Sequence, residues 1–173
     1  LYRHKVNGNY NRLHFHDHPD EYECLYHPYC EQTDILMNGI YWDRQMPRLF
    51  EKTDVQSDRF ITQTIADITD DADGSVPINL GDQSIEDPVY GVDRQSLQKT
   101  APYLPNSIDV MAVGNLPNEL ARDASRYFGE QLIKHLFEDL IGQGSPMLER
   151  ATMLRSGQLT ESYQYLRGYA GLD

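Results

Sequence analysis

FITQTIADITDDADGS, residues 60–75, is the stretch that decides the fold. Its first half, 60–68, is rich in Ile and Thr and reads as a buried strand, because β-branched side chains suit a pleated, covered surface. Its second half is acidic and closes on Gly74-Ser75, the chemistry of a loop at a strand end. Two further short apolar runs have the same form. DILMNGIYW at 34–42 is a strand that opens into a loop at Asn38-Gly39, and the run at 108–113 leads into Gly114-Asn115-Leu116-Pro117. A weaker run at 85–92 carries Pro88, which places it near a sheet edge.

A helix is expected over 117–141. Leu120, Ala124, Phe128, Leu132, Leu136 and Leu140 recur every four residues, and Ile133, Phe137 and Ile141 widen the stripe. Pro117 suits the first turn, Asn115 can cap before it and Gly142 can close the far end. Such a face must bury itself against a sheet or another helix. Ser145-Pro146 starts a shorter helix ending near Gly157, and Thr160 can cap a last one running to Tyr169. The first 32 residues show no sustained period and read as loops with at most one short helix. Strands interleaved with helices define an α/β fold, in which ligands bind outside the carboxyl ends of the strands. That rule selects residues 38–42, 70–75 and 114–117.

Composition narrows the function. Fifteen basic against 27 acidic residues give a net charge of −12, which repels a nucleic-acid backbone. No apolar run approaches the roughly 20 residues of a membrane span. Cys24 and Cys30 form neither a disulfide framework nor a four-cysteine zinc site, so a reducing compartment is the default. The first ten residues are polar and basic rather than signal-like, which gives a cytoplasmic expectation.

Four segments carry a resemblance: NGIYWDRQMPRL (38–49), ADITDDADGSV (66–76), SIEDPVYGVD (84–93) and VGNLPNELARDASRYFGEQL (113–132). In order and spacing they resemble the lysine-ketoglutarate reductase family, that is, the reductase portion of bifunctional α-aminoadipic semialdehyde synthases, related to alanine dehydrogenases and transhydrogenases. HPDEY (18–22) also fits, and the likeness covers most of the chain. It implies that residues 1–116 are the carboxy-terminal part of a Rossmann-type, NAD(P)-binding parallel sheet. Residues 117–173 would be a helical tail packing on an amino-terminal catalytic domain. It further implies a reaction joining lysine and 2-oxoglutarate into saccharopine, or its reverse, with NAD or NADP as cofactor. A mitochondrial site would follow in a eukaryote, and a homo-oligomer is compatible.

The dinucleotide fingerprint GxGxxG does not occur in these residues. It, and the family's catalytic Lys and His, would therefore lie upstream of Leu1. No catalytic residue is assigned here, and the chain alone would be inert.

The resemblance selects Asp71 as a contact to the nicotinamide ribose or a substrate ammonium; on composition alone it is an ordinary turn aspartate. The family usually has two glycines after this aspartate, whereas Ala72-Asp73-Gly74 supplies one. Asn115, Leu116 and Pro117 match the loop that reaches the nicotinamide ring, although helix capping also explains them. Ile40 and Tyr41 would line the adenosine or ribose crevice, or simply pack at the strand end. His14, His16 and His18 could share a metal ion from one strand face, with Cys24, His27 and Cys30 nearby, but their spacing matches no recognised zinc site. Arg122 and Arg126 are read as surface pairs with Glu119, Asp123 or Glu130. An alanine-dehydrogenase-like enzyme and a non-catalytic domain of the same fold remain alternatives.

Overall fold

The computed structural model describes residues 1–172. Two compact units divide at Leu116 and Pro117.

In the first unit, β1 (Tyr2–His4) pairs antiparallel with β2 (Tyr22–Cys24), and helix α1 (Arg12–Asp17) lies between them in sequence. The opening segment is therefore more ordered than its irregular composition suggests. Aromatic packing supplies the order: Phe15 stacks on Tyr2 at 4.6 Å and meets Tyr22 edge-on at 5.1 Å. With Met46 they form a small core of their own, flanked by Trp42.

The main sheet runs β3 (Ile35–Asn38), β4 (Thr64–Asp67), β5 (Val89–Asp93), β6 (Lys99–Thr100) and β7 (Ser107–Met111), with helix α2 (Lys52–Val55) between β3 and β4. Its spatial order is β3-β4-β7-β5-β6. β3, β4 and β7 are parallel, β5 runs antiparallel to β7, and β6 runs antiparallel to β5, so the expected α/β class holds with a mixed sheet. The run with Pro88 lies near the sheet edge, as expected: β5 is second from the end of the order, with only the two-residue β6 outside it. Pro88 sits just ahead of β5, where no ladder donor is needed, and β5 is flanked by β7 and β6.

Side chains alternate between sheet faces. Leu36, Ile65, Val110 and Tyr90 stand in register across four strands, all buried on one face. Each such apolar side chain contributes roughly 1.5–3 kcal/mol on burial. Phe50, Val55, Phe60, Val76, Ile78 and Ile108 complete this core. On the opposite face, Ile35 and Met37 of β3 are 71% and 74% exposed.

The second unit holds the expected helical stripe, but not as one helix. A 3-10 turn, Leu116–Leu120, precedes α3 (Ala121–His135), and a break at Leu136 precedes α4 (Phe137–Ile141). No residue of these segments is buried, contrary to the burial that the stripe demands. Without packing on its apolar face, a long helix loses the main force that keeps it continuous. Asn115 is not the cap: Leu120 holds the N-cap position of α3, without a side-chain bond, and Asn115 has a positive φ of 52°. Gly142 does end α4. α5 (Pro146–Ala151) is capped by Ser145, whose side chain accepts from Leu148 N. It stops well before Gly157, because Ser156 and Gly157 take positive φ and turn a hairpin between β8 (Leu154–Arg155) and β9 (Gln158–Leu159). The final segment is a kinked 3-10 helix, Glu161–Leu166; Thr160 precedes it but directs its hydroxyl to Thr152 O instead.

Candidate functional site

The period of two that buries Leu36 and Ile65 also buries the residues two positions on, Asn38 and Asp67. These are the last residues of β3 and β4 and register partners, so a polar layer follows directly on the apolar row at the carboxyl ends of the strands. Each is 1% exposed. A buried carboxylate must be hydrogen-bonded or paired. Asn38 Nδ2 donates to Asp67 Oδ1 at 2.7 Å and to Ser75 Oγ at 2.8 Å, and Asn79 Nδ2 donates to Asp67 Oδ2 at 2.8 Å. Asn79 Oδ1 accepts from Gly81 N at 2.8 Å and from the Tyr90 hydroxyl at 3.3 Å. Asn38 Oδ1 is buried with no partner in the structure.

The network ties three loops together. Ile68 N donates to Asn38 O at 2.7 Å, and Thr69 Oγ1 to Ile40 O at 2.7 Å, which joins the loops after β3 and β4. Asp73 N donates to Asn79 O at 2.9 Å. Gly114, after β7, is closely approached: a Cβ there would lie 3.1 Å from a carboxylate oxygen of Asp70 and from one of Asp82. Only glycine leaves that contact unstrained.

The electrostatics are acidic and desolvated. Burial raises the Asp70 carboxyl above its ordinary value, and Asp82, Asp67 and Asp71 add to the rise, against a lowering by the Asn79 bond. Burial likewise pushes the Tyr90 phenol up to about 12. Asp73 goes the other way: Lys52 Nζ lies 3.0 Å from its Oδ1 and Arg48 Nη1 3.1 Å, and they hold its carboxyl below the usual range.

Of the residues selected from sequence, Asp71 is exposed on this loop, its carbonyl accepting from Gly74 N. Ile40 is partly buried against the main core, whereas Tyr41 is 74% exposed, its ring 5.9 Å from that of His16. Asn115 is exposed and Leu116 partly so, after β7; Pro117 opens the second unit. Asn38 and Ser75 fall inside the selected stretches 38–42 and 70–75 without having been singled out, and Asn79 and Tyr90 lie outside them. The available signal was the pair of polar residues, Asn38 and Asp67, each two positions beyond a buried apolar one.

The histidine grouping is different from the expected one. His14 and His16 are on α1, not on a strand, and His18 follows it, with the His14 and His18 rings 4.7 Å apart. Among the described residues, His4, His14 and Glu21 bring metal-ligand atoms within 4.8 Å of one another. His4 Nδ1, however, accepts from Val6 N at 3.0 Å, which leaves the proton of the neutral ring on Nε2, donating to Glu21 Oε2 at 2.9 Å. In that tautomer Nε2 has no lone pair to offer. Arg126 pairs with Glu130 on the surface at 3.0 Å, as expected.

Buried amides and the Asp67 carboxylate give this α/β chain a polar layer at the carboxyl ends of the parallel strands β3 and β4, the position at which open α/β sheets bind ligands. No family model matches it. It is similar to the mitochondrial α-aminoadipic semialdehyde synthase of Mus musculus, 27% identical, with 94% of this chain and 20% of the relative covered. The Bos taurus enzyme is 24% identical with the same coverage, and that of Arabidopsis thaliana 25% identical, with 91% of the chain and 16% of the relative covered. The resemblance carried by the four motifs is thus borne out, and the chain spans about a fifth of the length of the curated relatives it matches. Among the described residues no helix is long and apolar enough to cross a membrane.

Proposed function

We propose that the chain is the cofactor-facing part of a longer NAD(P)-dependent amino-acid oxidoreductase that forms or cleaves saccharopine. The observation that carries the reading is the polar layer joining the loops after β3 and β4, in a chain whose relatives are α-aminoadipic semialdehyde synthases.

The residues present suit the nicotinamide-ribose end of the cofactor rather than its pyrophosphate. Asp71 and Asp82 are exposed, Asp70 is partly so, and their carboxylates accept hydrogen bonds from ribose hydroxyls or a carboxamide but repel a pyrophosphate. In this reading Asp71 holds the nicotinamide ribose or the substrate ammonium. Ile40 and Tyr41 line the crevice beside it, and Asn115, Leu116 and Pro117 approach the ring. The cofactor supplies the hydride. The protein side of the task is to hold that ring and exclude water, while the general acid and base belong to an amino-terminal catalytic domain. A mitochondrial location fits the mammalian relatives, which are mitochondrial synthases.

The test is kinetic, on the full-length protein: NAD(P)H oxidation with lysine plus 2-oxoglutarate against pyruvate plus ammonia. Turnover with the first pair supports the reading, and preference for pyruvate overturns it.

A further inference from the structure

The loop after β3 builds a second feature at the same sheet edge, a cavity of about 410 Å³ lined by Trp42, Arg44, Arg48, Glu51 and Asp73. In a chain of net charge −12 its lining holds two cations, Arg44 and Arg48, and Lys52 lies 3.0 Å from the lining carboxylate of Asp73. The loop is firmly supported. Trp42 Nε1 donates to Met46 O at 3.2 Å, Tyr2 hydroxyl to Pro47 O at 3.2 Å, and Met46 is buried in the small amino-terminal core.

Arg48 lies with its guanidinium carbon 5.7 Å from the Trp42 ring centroid and binds Asp73 through Nη1 to Oδ1 at 3.1 Å and Nη2 to the backbone oxygen at 2.9 Å. Those bonds use two of its five N–H donors. The Asp73 carboxylate, 59% exposed, thus marks where an external carboxylate would meet Arg48. Arg44 is exposed and has no hydrogen-bond or ion-pair partner among the described residues. Glu51 also lines the cavity, and no ion pair joins it to Arg44 among the described residues.

We propose that Arg44 and Arg48, set against Trp42, form a carboxylate subsite that takes one end of a small dicarboxylic acid, 2-oxoglutarate in the reaction above. This assignment rests on the dehydrogenase reading, which requires a dicarboxylate beside an otherwise acidic edge. Planar guanidinium forks pair with carboxylates through two parallel bonds, and they bind phosphate oxyanions by the same means. The test therefore includes both.

Trp42 is the sole tryptophan of the chain, so its fluorescence reports this cavity directly. Titration of the 173-residue chain with 2-oxoglutarate, glutarate, ADP and orthophosphate is expected to give a saturable change with the two dicarboxylates at the lowest concentrations. Arg44→Gln and Arg48→Gln should each raise the dicarboxylate Kd about tenfold or more, the size expected for a lost charge-assisted bond. Asp73→Asn, which frees Arg48, should lower it. Arg44 is exposed and makes no hydrogen bond or ion pair among the described residues, so R44Q tests the subsite with little risk to the fold. No saturable response, an unchanged Kd in R44Q, or tighter binding of ADP or phosphate overturns the proposal. NAD(P)H binding by the full-length protein is measured alongside. Dicarboxylate binding without NAD(P)H binding sinks the dehydrogenase reading alone, and the reverse sinks the subsite alone.

Discussion

The first unit and the second handle apolar surface in opposite ways. All the buried hydrophobic residues of the described chain, from Phe15 to Val113, lie in the first. In the second, Leu120, Phe128, Ile133 and Ile141 are each about two-thirds or more exposed although they keep helical spacing. Periodicity records which face a helix is built to bury, and the burial itself has to come from a partner surface. The sheet carries its own core; the helical unit does not.

The comparison breaks most sharply at Ile65, fully buried in the central row. Ile65→Ala should cost about 2–5 kcal/mol in urea unfolding, the range for large-to-small core changes. Next in size is Asn38→Ala, which removes two buried donations and leaves Asp67 short of a partner. A loss of about 1–3 kcal/mol is expected, with the midpoint falling and the m-value unchanged. Phe128→Ala, 68% exposed, should change stability by less than about 0.5 kcal/mol. A larger loss would show that the stripe is covered in solution.

The smallest effect is a pH dependence. The folded Asp70 carboxyl sits above its unfolded value, so the folded state holds the proton more tightly there. Its contribution is favourable below about pH 4, and is lost as pH rises through the folded value. Asp70→Asn should therefore gain stability relative to wild type above that window, and the gain should vanish below it. Asp73 has the opposite sign: its interactions with Lys52 and Arg48 stabilise above the unfolded value and fade in acid.

Much of this was legible in the residues. The runs at 34–42, 60–68 and 108–113 became β3, β4 and β7, because β-branched stretches bounded by Gly, Asn and Asp leave the backbone few alternatives. The antiparallel direction of β5 was not, since strand direction depends on partners distant in sequence. The break at Leu136 was hidden because the spacing that defines a stripe passes through it unchanged. At the site, the acidic loop was visible as a loop. What gathers it, Asn79 bridging Asp67 to Tyr90, rests on contacts across loops that no local pattern records. The cluster of His4, His14 and Glu21 escaped for the same reason, being assembled from β1, α1 and the turn before β2.

Titration of the full-length protein with NADH and NADPH, with and without Asp71→Ala, tests the central claim that these strand-end loops face the cofactor. The account predicts saturable binding of one nucleotide and a Kd about tenfold or more weaker in the variant, the size of a charged group's hydrogen bond. Equal Kd values in the two proteins, or no binding in either, would contradict it.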